Sequence, residues 1–382
     1  MNTQKIHISL LFVSLGILFA CSPSPNKERT QSGLLRKDFQ TIVHGDSTDL
    51  FILRNTQGME ACITNYGARL VSLIVPDKNG KATDVVLGFN RIADYLAQPS
   101  SFGATMGRVT NRIGYGKFVL DNDTIMIDKN NGEHAIHGGS AGWRGQVFAA
   151  DQPNDSTLQL SYQSPDGESG FPGNVQAQVT YTLTHDGALA IHYHATTDKK
   201  TVINLTNHSF FNLSGNPEQS ALNDILYVNG DTYTPLDSNL IPTGEIASVA
   251  HTPFDFRQPL VIQTGMDRDP KHQQLQFVGG LDHNWVLNTK GDTSILAASL
   301  REPNNGITLS VYTNEPGIQV YTSNSLDGSQ LGKGGKALKQ FSAVCLETQH
   351  YPDAPNKPDW PSTILAPGST YQSTCIYRFT IE

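Results

Sequence analysis

The sequence predicts an all-β fold of antiparallel strands. Short runs alternate apolar and polar residues, turn-forming Gly, Pro, Asn, Asp, Ser and Thr separate those runs, and helical periodicity is rare. The clearest alternation runs from Val175 to Leu183, where Val175, Ala177, Val179, Tyr181 and Leu183 fall on one face of an extended chain. A second run puts Leu189, Ile191, Tyr193 and Ala195 on one face. Asp186-Gly187 lies between them, a dipeptide that signals a β-hairpin when alternating runs flank it.

In chain order, strands are expected around residues 51–53, 68–75 and 158–162 ahead of the hairpin, and around 307–312, 318–321 and 375–379 after it. The best helical candidate is the short stretch 91–98. Nothing resembles a strand–helix–strand series, so a nucleotide-binding α/β fold is not expected. A chain of 382 residues could hold two domains, but β-sandwiches pass two hundred residues as one unit. One domain over residues 38–382 is the expectation.

Charged residues make up 16% of the chain, the formal net charge is -8, and no run of Lys or Arg forms a basic stripe. Nucleic acid is therefore not an expected partner. Residues 1–20 read as an export signal, with Lys5 in a short polar region and an apolar stretch from Ile8 to Ala20 that is short for a membrane span. Leu18-Phe19-Ala20-Cys21 resembles a bacterial lipoprotein cleavage box, in which the Cys becomes the new N-terminus and carries acyl chains. Phe19 is bulkier than that pattern usually has, and an ordinary signal peptide with an incidental Cys is the alternative. The lipoprotein reading makes the protein exported, periplasmic or at the cell surface, and attached to a bacterial membrane only through lipid on Cys21. Residues 21–37 are polar and contain Pro, which suits a flexible tether. The remaining cysteines, Cys62, Cys345 and Cys375, are odd in number, lack metal-type spacing and sit in apolar strand-like segments, so buried free thiols are expected.

Five polar clusters sit in Gly-, Asn- or Pro-rich loops beside strands, where side chains can converge on one cleft. They are Gly107-Arg108-Val109-Thr110-Asn111-Arg112-Ile113, Ile136-His137-Gly138-Gly139, Thr206-Asn207-His208-Ser209-Phe210-Phe211-Asn212-Leu213, Gly280-Leu281-Asp282-His283-Asn284-Trp285, and the stretch from Glu347 to Asn356. A cleft with two His, an Arg, an Asp, a Glu, Asn amides and aromatic faces suits a neutral polyhydroxylated ligand. Its carboxylates and amides take paired hydroxyls while the aromatics cover C–H faces. No His pair has zinc-ligand spacing, so no metal site is assigned. No G-x-S-x-G elbow surrounds any Ser, which disfavours a Ser-His-Asp hydrolase.

Taken in order, the five clusters resemble the galactose mutarotase (aldose 1-epimerase) family. Similar support comes from residues 164–174, from Thr252-Pro253-Phe254-Asp255-Phe256-Arg257, and from the stretch Asn314 to Tyr321; the likeness runs from about Thr41 to the C-terminus. It implies a large antiparallel β-supersandwich, and an isomerase that interconverts the α and β anomers of free aldohexoses such as galactose or glucose. By motif match the general acid falls on His208 and the general base on Glu347. Asn111, Arg112, His137 and Asp282 match positions that hold the sugar. Ile136 stands where Leu is usual and Tyr351 where Phe is common, neither touching the proton-transfer groups. The resemblance also admits a structural calcium ion on acidic loops, with no ligand set readable, and a monomer is expected.

The chemistry agrees with that assignment. Anomer exchange removes the C1 hydroxyl proton while protonating the ring oxygen, so it calls for one base, one acid and no redox cofactor. Nearby carboxylates are expected to keep the imidazole protonated while the Glu stays ionised. His283 and His350 adjoin the motifs but alternate away from them. Two rival classes remain: a sugar-binding lipoprotein without activity, and a glycoside hydrolase or lyase, which would ordinarily need a carboxylate pair such as Asp282 with Glu347.

Overall fold

The computed structural model describes residues 29–98 and 100–382. The export signal 1–20, the acylation candidate Cys21 and residues 22–28 lie outside the described residues.

The alternating runs assemble into a nine-stranded antiparallel sheet. From one edge its order is Ala149–Asn154, Thr157–Ser164, Val175–Leu183, Ala188–Thr197, Tyr371–Ile381, Ile307–Thr313, Ala298–Arg301, Ile225–Val228 and Leu260–Val261. The expected hairpin forms with Leu183 opposite Leu189 and with Gly187 at a φ of 81° in its turn. Val175, Ala177, Val179, Tyr181 and Leu183 all point inward and are buried, as a period of two requires when one face meets a core. The C-terminal strand lies in the middle of this sheet, between Ala188–Thr197 and Ile307–Thr313.

An apolar sheet face needs a cover. Two smaller antiparallel sheets provide it: Leu50–Arg54, Glu60–Thr64, Arg69–Pro76 and Ala82–Asp84 form one, while Ala247–Ser248, Thr232–Thr234, Asp282–Val286, Gly317–Tyr321 and Cys345–Gln349 form the other. One core unites the three, taking Leu53 and Ile63 from the four-stranded sheet, Trp285, Ile318 and Leu346 from the five-stranded sheet, and Val179, Tyr193 and Tyr377 from the nine-stranded sheet. Cys62, Cys345 and Cys375 are buried free thiols, as expected.

Two expectations need correction. The tether was placed as far as residue 37, yet among the described residues the folded part begins at Arg29. Leu34 is buried in a second apolar cluster with Phe39, Leu50 and Tyr95, Arg29 bridges Leu35, and the Gln31 amide donates to Glu60 Oε1 at 2.6 Å. A polar segment without periodicity can still dock when one Leu finds a pocket. The helices Ile262–Met266 and Gln273–Val278 were not anticipated, since neither is long enough to show an amphipathic repeat. His272 Nδ1 caps the second by accepting from the Gln274 amide at 3.3 Å, and Gly279 ends it in the left-handed region. The helix expected over 91–98 forms as Ile92–Ala97.

Candidate active site

The five loop clusters converge on one cavity of about 610 Å³. Its floor comes from the five-stranded sheet, where Asn284 faces Gln319 and Gln319 faces Glu347 across successive strands. Asp282 lies two residues before Asn284, hence on the same face.

Opposite this row stands His208, just past the short strand Thr206–Asn207. Its backbone is fixed from several sides. The His208 amide donates to Ala104 O, the Gly103 amide donates to His208 O, and Asn207 Oδ1 accepts from the Ser209 amide to close a side-chain turn around it. Thr206 Oγ1 donates to Thr348 O at 2.8 Å, which ties the His208 segment to the strand carrying Glu347. The imidazole stacks on Phe210 with ring centroids 5.0 Å apart.

His137 completes the wall, its ring centroid 5.2 Å from that of His208. Gly138 follows it because a Cβ there would lie 1.9 Å from Gly107 O. His137 Nδ1 accepts from the Asn111 amide at 3.2 Å, which leaves the ring proton on Nε2 as a donor. Asn111 has a φ of 58°, a conformation Asn tolerates, and its Oδ1 accepts the Arg112 amide. The C-terminal motif braces this loop, since the Asp353 amide donates to Arg112 O and Asp353 Oδ1 accepts from the Gly114 amide at 2.9 Å.

His208 Nε2 lies 3.6 Å from Glu347 Oε1. That is too long for a hydrogen bond, but two oxygens attached to one carbon could each meet one of the pair. Both side chains are buried, and His208 Nδ1 and Glu347 Oε2 have no partner among the described residues. Burial, reinforced by the Asp282 charge, holds the Glu347 carboxyl well above the usual carboxylate range, and burial pushes His208 down to about 3. The expected protonated imidazole beside an ionised Glu is thereby reversed for the free cleft. Desolvation is the largest cause for both groups, and the nearby Arg144 and Arg69 lower His208 further. His137 is likewise held neutral by burial, with His208, Arg144 and Arg112 adding to the effect. Burial raises Asp282, opposed by Arg112 and by Gln319 Nε2, which donates to Asp282 Oδ1 at 2.7 Å.

All six residues expected at the site, Asn111, Arg112, His137, His208, Asp282 and Glu347, line this cavity. His283 and His350 do not. His283 packs its ring on Phe254, and His350 Nδ1 meets Glu315 Oε2 at 2.6 Å. The sequence reading missed Arg144, Phe210 and Tyr321 in the lining and Gln319 beneath Asp282. Phe210, Gln319 and Tyr321 lay inside stretches already singled out, but Arg144 carried no spacing signal. His208, Cys345 and Glu347 offer three potential metal-ligand atoms within 4.8 Å of one another. Burial and the charges of Glu347 and Asp282 raise the Cys345 thiol well above its ordinary value.

The sequence model describing the aldose 1-epimerase family matches residues 49–378, a span that holds all six cleft residues. The chain belongs to the aldose 1-epimerase family. It is 39% identical over 337 residues to galactose mutarotase of Rattus norvegicus, covering 88% of this chain and 95% of the relative. It is 35% identical over 341 residues to aldose 1-epimerase of Escherichia coli K12, covering 88% and 97%. The crystal structure of an aldose epimerase homologue from C. elegans superposes with a TM-score of 0.81 at 32% identity, covering 87% of this chain and 99% of that one. The supersandwich expected from the motifs is therefore the fold. As an aldose 1-epimerase the protein is an isomerase that interconverts the anomers of aldoses, and this chemistry needs no cofactor.

Proposed function

We propose that Glu347 is the general base and His208 the general acid for ring opening of free aldohexoses such as galactose and glucose, with Asn111, Arg112, His137 and Asp282 holding the sugar. The observation that carries this is the buried His208–Glu347 pair, 3.6 Å apart, each with an unpartnered polar atom, in a cavity lined by hydroxyl-binding groups.

Glu347 takes the O1 proton, the O1–H electron pair becomes the second C1–O bond, and the C1–O5 bond breaks with its electrons going to O5, which takes a proton from His208. Rotation about C1–C2 and reversal of these transfers give the other anomer. The pair carries one proton throughout. When the sugar binds, the proton shifts from Glu347 to His208; ring opening then sends it to O5 while Glu347 gains the one from O1, which restores the arrangement that burial favours in the free cleft, so the site is complementary to the open-chain intermediate. Neutral His137 serves as a hydroxyl donor through Nε2, and Arg112 beside Asp282 supplies a donor and an acceptor for adjacent hydroxyls. These transfers use only side chains of the chain itself, and calcium takes no step in them. The same reading takes the protein as a monomer.

The apolar run ending at Cys21 supports export and attachment to a bacterial membrane through lipid on that residue. Activity is tested by polarimetry on freshly dissolved α-galactose and α-glucose. The protein speeds the decay of optical rotation without moving its end point; a rate equal to buffer from folded protein, across several aldohexoses, replaces catalysis with binding.

A further inference from the structure

The cleft carries positive charge that its carboxylates do not balance, and the excess lies on the wall that holds the imidazoles. Arg112 is offset by Asp282, whose charge it opposes across the cavity. Arg144 has no such counterpart. It lines the cavity from the turn Trp143–Gly145, and its guanidinium makes no hydrogen bond or ion pair among the described residues. Behind it Arg69 is buried at 1% exposure. The Arg69 guanidinium donates to Ser100 O at 3.1 Å, to Phe102 O at 2.7 Å and to Arg144 O at 3.0 Å, its Nε is unpartnered, and no carboxylate meets it among the described residues.

Water solvates the Arg144 guanidinium while the cleft is empty, and a sugar that fills the cavity displaces that water. The hydroxyls of a neutral hexose restore only part of what is lost, because a desolvated cation needs an anion to offset it. A carboxylate does so with two parallel bonds to the planar fork. The place of Arg144 says where on the sugar that carboxylate belongs. Burial lowers both His137 and His208, and the Arg144 charge adds to the effect in each, so the guanidinium stands near both rings. With His208 serving O5, the substituent beside it is C6, carried by the carbon bonded to O5. Ser100 and Ser101 line the same wall and add hydroxyl donors; Phe102 joins them to His208 through Phe210, its ring centroid 4.6 Å from that of Phe210.

We infer that the cleft prefers an aldose whose C6 is a carboxylate, a hexuronic acid such as galacturonate or glucuronate, and that Arg144 grips that group. One unengaged guanidinium matches one carboxylate. A C6 phosphate dianion would call for a second free cation, whereas Arg69 is spent on three carbonyls and no Lys lines the cavity. The carboxylate would also cancel the Arg144 and Arg69 charges that oppose a proton on His208, which helps the transfer that precedes ring opening.

Because this rests on His208 and Glu347 being the acid–base pair, galactose is the control. The full chain is assayed by NMR exchange between anomeric protons with galactose, galacturonate, the C6 methyl ester of galacturonate and galactose 6-phosphate. Wild type shows a kcat/KM for galacturonate at least about tenfold above that for galactose, and the ester, which keeps the shape and loses the charge, falls back to the galactose level. Arg144→Gln lowers the galacturonate-to-galactose ratio roughly 10–100-fold, and Arg144→Lys recovers part of it. Turnover of galactose without preference for galacturonate overturns the inference and leaves the epimerase reading standing, while turnover of neither overturns both. An ester as good as the acid, or a ratio unmoved in folded Arg144→Gln, removes the carboxylate contact. A preference for the 6-phosphate over galacturonate assigns a dianion to the wall and overturns the inference equally.

Discussion

Glu347→Gln separates a base from a mere hydrogen-bonding group, because it keeps shape and volume while removing the ability to accept a proton. Loss of a positioned general base lowers rate by about 10²–10⁴, equivalent to about 3–5 kcal/mol of barrier. The structure places this protein in the upper half of that range. The alternative base, Asp282, lies two strands away across Gly317–Tyr321, a backbone separation of about 10 Å, and aligns with Cys345 rather than Glu347. Asp282 is therefore displaced across the cleft floor from the oxygen that Glu347 serves, and kcat falls by about 10³ or more while KM changes little. Stability moves the other way. A carboxyl whose pKa is raised on folding stabilises the fold only when protonated, so its contribution is lost as pH rises through the native value, and ionised Glu347 weakens the fold. At about pH 7.5 the Gln variant therefore melts no lower than wild type. Polarimetric initial rates and a thermal melt on one preparation decide the matter. A folded variant turning over within a few-fold of wild type refutes the assignment.

Arg112→Ala, which removes contacts present in both ground and transition states, raises KM more than it lowers kcat; the reverse pattern in the same rate assay would give Arg112 a role in the chemical step. His283 is pushed down to about 3 by burial, so below pH 6.5 the unfolded chain binds a proton that the folded chain refuses, and stability is lost as pH falls through that window. His283→Phe forfeits the acceptor for the Asp282 amide at every pH, yet its Tm gains on wild type between about pH 7 and pH 4; a constant difference contradicts the buried neutral imidazole. In a bacterial host, wild type enters membranes and incorporates labelled fatty acid, and Cys21→Ala abolishes the label; unlabelled protein retaining Met1 refutes the export reading.

The hairpin 175–195 was legible because one wet or half-wet face and one buried face leave a period of two in the chain. The strand Glu60–Thr64 was not, since every one of its residues is buried and no alternation survives. The six cleft residues could be named because the motifs that hold them resemble a known family; some of those motifs are fixed by backbone geometry, as at His137-Gly138, while Asp282 and Glu347 stand on strands of the cleft floor. Their protonation was misjudged because it depends on how much water the assembled walls exclude, a property of the closed cleft rather than of neighbours in sequence. Gln319 escaped for a related reason: its partner Asp282 is 37 residues away and is brought to it only by strand register.

The place of Tyr371–Ile381 bears on how this chain is made. The strand completing the middle of the largest sheet follows every other strand of that sheet along the chain, and Tyr377 Oη donates from it to Leu346 O, next to Glu347. Until it arrives, the two halves of that sheet have no common neighbour and the floor of the cleft lacks its support. Closure of this sheet must therefore wait for residues 371–381, with pairings as distant as Ile191 to Cys375 formed late and slowly. Under the export proposed above, such a delay keeps the polypeptide threadable until residues 371–381 have been made.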